Sequence, residues 1–407
     1  MAPYETDDSA DTGERDELRA GRRRAARYIV PVTVVGVAAA TIGLVPALAD
    51  SGDPNLPKIT AQQLIDKIAK SDVQQLSGTV KISTDLGLPN LGGLESSMLS
   101  GATKSGDGSS ADPTTKLTEL ATGTHTLRVA ADGPDKQKIS LLENAAEYSL
   151  IHNGKDVWGY DSQSNEVYHG TAADSSKSDE TRATPKGLTD EALKSVDATT
   201  SVTVDGTEHV AGRDAYKLLI KPKQSGTTVG TISIAVDSKT GLPLKFTLTP
   251  ASGGAAVVDV GFTQLSLAKP AASTFDFKTP KGAKVTTEDS AKKAAPDHSG
   301  KPGRLGKPGK SGGDLGKGPD GLTVLGKGWN SIATFDTGGQ GVPSGSASGG
   351  GDLGGVISSL GDKVKGTFGS GTVFSTRLIN ALVTDDGKVY VGAVTKSALV
   401  KAADAAK

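Results

Sequence analysis

A long series of short β-strands, separated by tight turns rather than by helices, is the feature that most limits the fold of this chain. Between residues 124 and 169, apolar and β-branched residues recur in short runs, and Asn153-Gly154 separates two of them. This dipeptide is a strong hairpin signal because both turn positions need positive φ. A second series follows between residues 199 and 267, with turns predicted at Asp205-Gly206 and Lys239-Thr240-Gly241. Consecutive strands joined by short turns pair antiparallel, so the pattern argues against a Rossmann-type βαβ domain.

Two amphipathic helices are predicted to lie against this sheet. The first begins with a capping box at Thr60 and Gln63, followed by apolar residues at helical spacing. The second is predicted near residues 189–196, with Thr189 as its N-cap. After the last long strand, Phe275–Phe277 is predicted to form one more short strand.

The N-terminal region indicates the cellular compartment in which the rest of the chain lies. Residues 1–27 are predicted to be a disordered cytoplasmic leader that ends in four arginines, and residues 28–49 carry no charge. Twenty-two uncharged residues are just long enough to span a bilayer as a helix, and the preceding arginines keep the leader inside. Two interpretations stay open: a retained anchor that places the chain in the cell membrane, or cleavage after Ala49 that releases a secreted protein. Either one puts the bulk of the chain on the extracytoplasmic side.

The C-terminal third divides into a linker and a small folded unit. Residues 287–318 are rich in Gly, Pro and Lys and predict a flexible linker, although its positive charge could also contact an anionic surface. Residues 319–407 predict a small α+β unit with a strand over 322–335, a hairpin around residues 385–387 and a final helix capped by Thr395. A unit of this size has a small core, so we expect it to pack on the main domain.

The composition excludes several kinds of chemistry. The chain has no cysteine, which rules out disulfides, thiol nucleophiles and a lipid-modified N-terminal Cys. Its five histidines lie outside metal-binding spacings, and no nucleophile elbow is present, so we predict neither an enzyme nor a metal site nor a cofactor. A net charge of −1 argues against a nucleic-acid partner.

Four segments, taken in order, resemble the LolA-like and RseB/MucB-like proteins of the lipoprotein-localisation-factor superfamily. They are NGKDVWGYD (153–161), VDGTEHVAGRDAYKL (204–218), IAVDSKTGLPLKF (234–246) and FDFKTPKGAKV (275–285). The resemblance covers residues 56–286. It implies an α+β fold in which a curved antiparallel half-open β-barrel has helices plugging its concave face.

The resemblance also implies a function. In lipoprotein carriers the concave face holds acyl chains, and in RseB-like proteins it serves as a sensor while a second domain contacts a membrane-bound anti-sigma factor. The sequence therefore predicts a membrane-associated protein that binds a lipid or a lipoprotein. The alternative is an envelope sensor or regulatory module acting on a membrane protein partner.

Alternation along the strands gives candidate residues for the cavity lining. With a period of two, one face of the predicted strands carries a set of aliphatic side chains. These are Leu127, Val129, Ile139, Leu141, Leu218 and Ile220. An ordinary closed core has the same pattern, so both interpretations stay open.

Overall fold

A computed structural model describes residues 54–87, 109, 111–113, 116, 119–120, 122–171, 184–287, 323–336 and 361–406. The predicted leader (1–27), the predicted signal or membrane segment (28–49) and nearly all of the predicted linker (287–318) lie outside these residues. Of the helices that the structure describes, none has the length and apolar character needed to cross a membrane.

One large sheet contains twelve strands within the described part of the chain. They are β1 (Gln75–Thr84), β2 (Gly123–Asp132), β3 (Lys136–Glu143), β4 (Ala146–Asn153), β5 (Asp156–Asp161), β6 (Glu166–Thr171), β7 (Thr200–Val210), β8 (Arg213–Pro222), β9 (Val229–Asp237), β10 (Pro243–Pro250), β11 (Val258–Ser266) and β12 (Lys284–Thr287). Their order is β12-β6-β5-β4-β3-β2-β1-β11-β10-β9-β8-β7. Neighbours pair antiparallel except β12 and β6, which are parallel. The edge strands β12 and β7 do not pair with each other, so the sheet is open, and with its few helices the fold is α+β.

One of the predicted turns is instead a bulge. Strand β7 continues through Asp205-Gly206, where its register against β8 shifts between Val204 and Thr207. The chain reverses six residues later at Ala211 and Gly212, which have φ of 50° and 74°. A glycine inside a strand is as compatible with a bulge as with a turn, and the turn prediction missed this.

Two helices belong to the large sheet. Helix α1 (Ala61–Ala69) has the predicted capping box, because the Gln63 N–H donates to Thr60 Oγ1 at 3.2 Å and Thr60 N–H donates to Gln63 Oε1 at 2.9 Å. Helix α2 (Pro185–Lys194) starts earlier than predicted, with Thr184 as its N-cap. The predicted cap at Thr189 is wrong: proline favours the first helical position, and the Thr189 hydroxyl donates to Pro185 O within the helix.

A strap, residues 267–283, connects β11 to β12. The predicted strand at Phe275–Phe277 is wrong, since residues 272–274 form a 3₁₀ turn and the Phe275 N–H bonds locally to Ala272 O at 3.1 Å. Phe275 is nevertheless completely buried, and Asn153 Nδ2 donates to its carbonyl at 3.3 Å. Phe277 packs against the Trp158 ring. The strap thus anchors by aromatic side chains rather than by strand pairing.

Residues 323–336 and 361–406, here named the C-terminal unit, form a second sheet. Its strands are β13 (Thr323–Leu325), β14 (Ile332–Asp336), β15 (Asp362–Gly366), β16 (Gly369–Ser375), β17 (Asn380–Thr384) and β18 (Lys388–Gly392), in the order β13-β14-β18-β17-β16-β15. Helix α3 (Lys396–Ala405) follows, with Thr395 as its N-cap as predicted. The single strand predicted over 322–335 is wrong: positive φ at Gly326 and Gly328 lets the chain reverse into two antiparallel strands.

The C-terminal unit packs on the large sheet, as expected from its size. Residues Thr227 and Val394 form an isolated antiparallel bridge between the two sheets. On the other side of the contact, Arg377 Nη1 pairs with Asp85 Oδ2 at 2.7 Å.

Candidate functional site

One face of the large sheet is apolar across most of its width. The pairing register gives a row of directly opposed residues in which Val202 faces Ile220, Ile220 faces Ile232 and Ile232 faces Leu248. The next row consists of Val204, Leu218, Ile234, Phe246, Val260 and Ile82, and a third stretch consists of Phe262, Val80, Leu127, Leu141 and Tyr148. Opposed residues on neighbouring strands share a face, so these side chains all lie on one side of the sheet, named here the apolar face.

All six residues predicted as cavity lining lie on the apolar face. Leu127 is opposite Leu141 and Val129 is opposite Ile139. Leu218 and Ile220 are opposite Ile234 and Ile232. Four of the six belong to a cluster over β1–β4, whereas Leu218 and Ile220 belong to a second cluster beneath the helices. Leu127, Leu218 and Ile220 are at most 1% exposed, so they pack against other side chains, and a lining role stays a prediction.

Helices α1 and α2 cover the half of the apolar face formed by β7–β10. Helix α1 buries one side, with Leu64 completely buried and Ala61, Ile65 and Ile68 nearly so. Ala192 of α2 packs into the same cluster. This half of the face is sealed mainly by apolar contacts.

A different kind of cover lies over β1–β6. It consists of the seven residues that the structure describes between 109 and 120, named here the cover segment. Tyr148 Oη donates to Ala111 O at 3.2 Å, Ser109 Oγ donates to Glu166 Oε2 at 2.9 Å, and Thr84 Oγ1 donates to Leu120 O at 3.3 Å. Beside these hydrogen bonds, Leu120 packs against the apolar cluster over β1–β4, and Ala111 is completely buried.

Lys116 is the charged contact of the cover segment. Its Nζ lies 2.9 Å from Glu143 Oε1 and 3.4 Å from both Asp161 Oδ2 and Glu119 Oε1, and its side chain is 10% exposed. Burial alone would lower the pKa of Lys116, but the hydrogen bond to Glu143 and the three carboxylate charges outweigh it and raise the pKa above its ordinary value. The lysine is therefore charged at neutral pH and ties the cover segment to β3 and β5.

The sequence pattern did not identify this ion cluster. Glu143 and Asp161 each lie at the end of a strand, where a charged residue is ordinary, and Lys116 lies in a Gly/Ser/Thr-rich stretch. The register brings them together, because Tyr148 faces Leu141 on one side and Asp161 on the other. The one sequence signal for this ion cluster was a single lysine in a long loop between two predicted strands.

The opposite face of β1–β4 is polar. It forms a cleft of about 690 Å³, and the charged residues in its lining are Arg128, Lys138 and Glu147. Burial would raise the pKa of Glu147, but hydrogen bonds from Ser140 and Ser149 and the two nearby cations lower it. Of the six residues predicted to line the acyl cavity, Val129 is the one that also lines this cleft. The polar cleft and the apolar face are thus the two opposite sides of the same strands.

The described histidines have local partners. His152 is 8% exposed and its Nε2 lies 2.8 Å from Gly154 O, as expected for a satisfied residue of the sheet. His169 stacks on Trp158 with ring centroids 3.8 Å apart, and its Nε2 lies 2.9 Å from Asp156 Oδ1. Among the residues that the structure describes, no group of three or more His, Asp or Glu side chains is placed to hold a metal ion.

Neither a family model nor a curated protein sequence matches this chain. Among solved structures, the MucA/MucB complex of Pseudomonas aeruginosa is 17% identical with a TM-score of 0.38, over 84% of this chain and 96% of the solved one. A LolA superfamily protein from Nitrosomonas europaea is 11% identical with a TM-score of 0.22, over 54% and 99%. An uncharacterized conserved protein from Thermus thermophilus is 14% identical with a TM-score of 0.31, over 56% and 98%. The solved structures similar to this chain thus include both kinds of protein that its sequence is predicted to resemble.

Proposed function

We propose that this chain is an extracytoplasmic protein that binds the acyl chains of a lipid or a lipoprotein on the apolar face of its large sheet. The proposal rests on one observation: two overlapping rows of directly opposed apolar residues, one from Val204 to Ile82 and one from Phe262 to Tyr148, together extend from β7 to β4. An acyl chain is a long apolar ligand and needs a contiguous apolar surface of this kind. In this proposal the sheet is a curved half-open barrel, and residues 28–49 hold the protein at the membrane unless cleavage follows Ala49.

The cover segment is where a ligand would gain access. Of its seven described residues, Ser109, Asp112, Lys116 and Glu119 are polar or charged, and its contacts with the sheet include hydrogen bonds and ion pairs beside the apolar contact of Leu120. Such contacts are exchanged for water at little net cost, whereas lifting α1 would expose a whole apolar side. An acyl chain that displaces the cover segment would replace it over Leu127, Leu141 and their neighbours.

Adjacent leucines on opposite faces of β3 provide the test. Leu141 lies on the apolar face and Leu142 on the other, so Leu141→Ser and Leu142→Ser remove equal apolar groups. In delipidated protein we expect Leu141→Ser to weaken binding of a fluorescent fatty acid at least tenfold, and Leu142→Ser to change it less than twofold. Wild-type protein that takes up no probe, or equal effects of the two variants, would contradict the proposal.

A second candidate is a regulatory module that acts on a membrane protein through the C-terminal unit. It is favoured by two exposed apolar side chains, Val324 at 38% and Phe335 at 37%. They share a face, because Val324 is opposite Ala333, which lies two residues before Phe335. A photo-crosslinker in place of Phe335 should capture a membrane protein from native membranes, and one in place of Lys363 on β15 should not; equal capture by both would count against this function.

Both candidates are binding functions, and we propose that the chain is not an enzyme. The described histidines are held in local contacts with carbonyl or carboxylate oxygens or, for His169, with a carboxylate and an indole. None of these contacts pairs a histidine with a nucleophilic side chain.

A further inference from the structure

The C-terminal unit meets the large sheet at one particular end. This distal end is formed by the connection between β8 and β9, the connection between β10 and β11, and the residues that follow β1. The N–H of Thr228 donates to Ala393 O at 2.9 Å, and the N–H of Thr395 donates to Gly226 O at 2.8 Å. The Arg377 N–H donates to Leu86 O at 2.8 Å. Contacts at three separate positions fix the unit across the distal end.

Trp329 is the apolar centre of this contact. The indole of Trp329 is half-buried and packs against the helix-covered cluster of the apolar face, as does Leu378. Its Nε1 donates to Thr200 Oγ1 at 2.8 Å, and its backbone N–H donates to Gln224 Oε1 at 2.8 Å. Thr200 is 2% exposed, so this hydrogen bond is withdrawn from water and holds the ring in one orientation.

The position of Thr200 places the indole at the last row of the apolar face. Thr200 precedes Val202 by two residues and therefore shares its face, one row nearer the distal end. Val202, Ile220 and Ile232 form the last apolar row before the connection between β8 and β9. From the row of Tyr216 to the row of Ile220 the face is about 13 Å long at ~3.3 Å per residue. An acyl chain that enters over β1–β4 and extends its end beneath the helices along β8 would meet Trp329 beyond that distance.

We propose that Trp329 forms the end wall of the acyl site and sets the longest acyl chain that the apolar face accepts. This inference rests on the proposed acyl-binding function and adds to it a residue of the C-terminal unit. It also gives the C-terminal unit a role in specificity. A flat indole, held by its own hydrogen bond to Thr200 and by the backbone hydrogen bond to Gln224, blocks the distal end, and its removal opens the apolar cluster towards the contact between the units.

The two tryptophans of the chain make the wall directly observable. Trp158 lies on the opposite face of the sheet, where it stacks on His169 and packs against Phe277, so it serves as a matched control. In the Trp158→Phe variant Trp329 is the single tryptophan, and in the Trp329→Phe variant Trp158 is the single tryptophan. We expect a fourteen-carbon fatty acid with bromine on its terminal carbon to quench Trp329 and to leave Trp158 unquenched. Bromine beside the carboxyl group should quench Trp329 much less.

Chain-length preference is the second measurement. Trp329→Ala should raise the affinity for an eighteen-carbon fatty acid relative to a ten-carbon one at least tenfold, and Trp158→Phe should leave this ratio unchanged. Thr200→Val removes the 2.8 Å hydrogen bond to the indole together with the longer contacts of the same hydroxyl to Ser195 O and to Asp197, at 3.3–3.4 Å. It should shift the ratio in the same direction by a smaller factor, and it keeps the test usable if Trp329→Ala does not fold.

The outcomes separate this inference from the function on which it rests. Protein that binds no fatty acid in a displacement assay refutes both. Protein that binds fatty acids while the terminal bromine leaves Trp329 unquenched refutes the end wall alone. An unchanged length ratio in the folded Trp329 or Thr200 variant does the same.

Discussion

Replacing Lys116 by methionine should loosen the cover segment without emptying the core. The substitution keeps an unbranched apolar stem but removes the charge that meets Glu143 at 2.9 Å and Asp161 at 3.4 Å. Breaking a buried ion pair from one side typically costs about 3–5 kcal/mol because the partner charge is left without compensation. In Lys116→Met the charge of Asp161 stays partly compensated, because Asp161 Oδ1 also accepts hydrogen bonds from the N–H groups of Gln163 and Ser164, at 2.8 and 3.0 Å.

We therefore expect a smaller effect, about 1–3 kcal/mol, on the equilibrium between the closed and the displaced cover segment. Since ~1.4 kcal/mol corresponds to a factor of ten, the displaced population should rise roughly tenfold to a hundredfold. The lysine is charged at all pH values below its raised pKa, so this effect should be constant across neutral pH and should fade in strong alkali.

Hydrogen exchange of the amides in residues 109–120 measures the displacement, and the association rate of a fluorescent fatty acid measures its consequence. Both should accelerate together in Lys116→Met. Lys138→Met is the control, because Lys138 is also half-buried but lies in the polar cleft on the other face. If exchange and association in Lys116→Met equal those of the wild type, or if Lys138→Met accelerates them equally, the ion cluster does not hold the cover.

Three further predictions concern stability. Thr60→Ala removes the N-cap of α1 and should lower the free energy of unfolding by about 1 kcal/mol in urea denaturation, with Thr60→Ser near wild type. Leu127→Ala, at a position 1% exposed, should cost about 2–5 kcal/mol by the same measurement. For Asp237, burial would raise the pKa, but hydrogen bonds from Arg213 and Thr240 lower it below its ordinary value. Its contribution to stability is thus present above the unfolded-state pKa and is lost as pH falls through the lower native pKa. In acid titrations the stability difference between wild type and Asp237→Asn should be constant near pH 7 and shrink below about pH 4, and a difference that grows in acid would contradict this.

Local signals predict much of the large sheet. Strands β1, β3 and β5 have the predicted bounds, because each is a short run of strand-forming residues, and the turn signal Asn153-Gly154 lies directly before β5. The capping box of α1 and the N-cap of α3 are equally local and are confirmed at Thr60 and Thr395. Local signals also fail where two local structures share one signal, as at Asp205-Gly206, which is a bulge, and at Thr189, which lies inside α2.

Non-local pairing explains what the sequence did not predict. Strand β1 pairs with β11, about 180 residues later, and β12 pairs in parallel with β6, and no turn signal encodes either contact. The pattern predicts a strand at Phe275 because this residue is aromatic and alternates with Phe277. In the structure, Phe275 is buried because the strap docks on a part of the sheet that is distant in sequence. Trp329 likewise has a partner, Thr200, that is 129 residues away.

The sequence pattern likewise does not show which part of the apolar face a ligand can reach. A period of two places Leu127, Leu141, Leu218 and Ile220 on one face, but that period is identical for a closed core and for a surface that a ligand can share. What differs is the cover over each part. Over Leu218 and Ile220 the cover is apolar and ends at Trp329, whereas over Leu127 and Leu141 it is a segment held by hydrogen bonds and the Lys116 ion cluster. Because apolar contacts are the costlier ones to open, an acyl chain should enter over β1–β4 and extend its end towards the helices. The order of the two steps is testable: Lys116→Met should change the association rate of a fatty acid, and Trp329→Ala should change its length preference, each without the effect of the other.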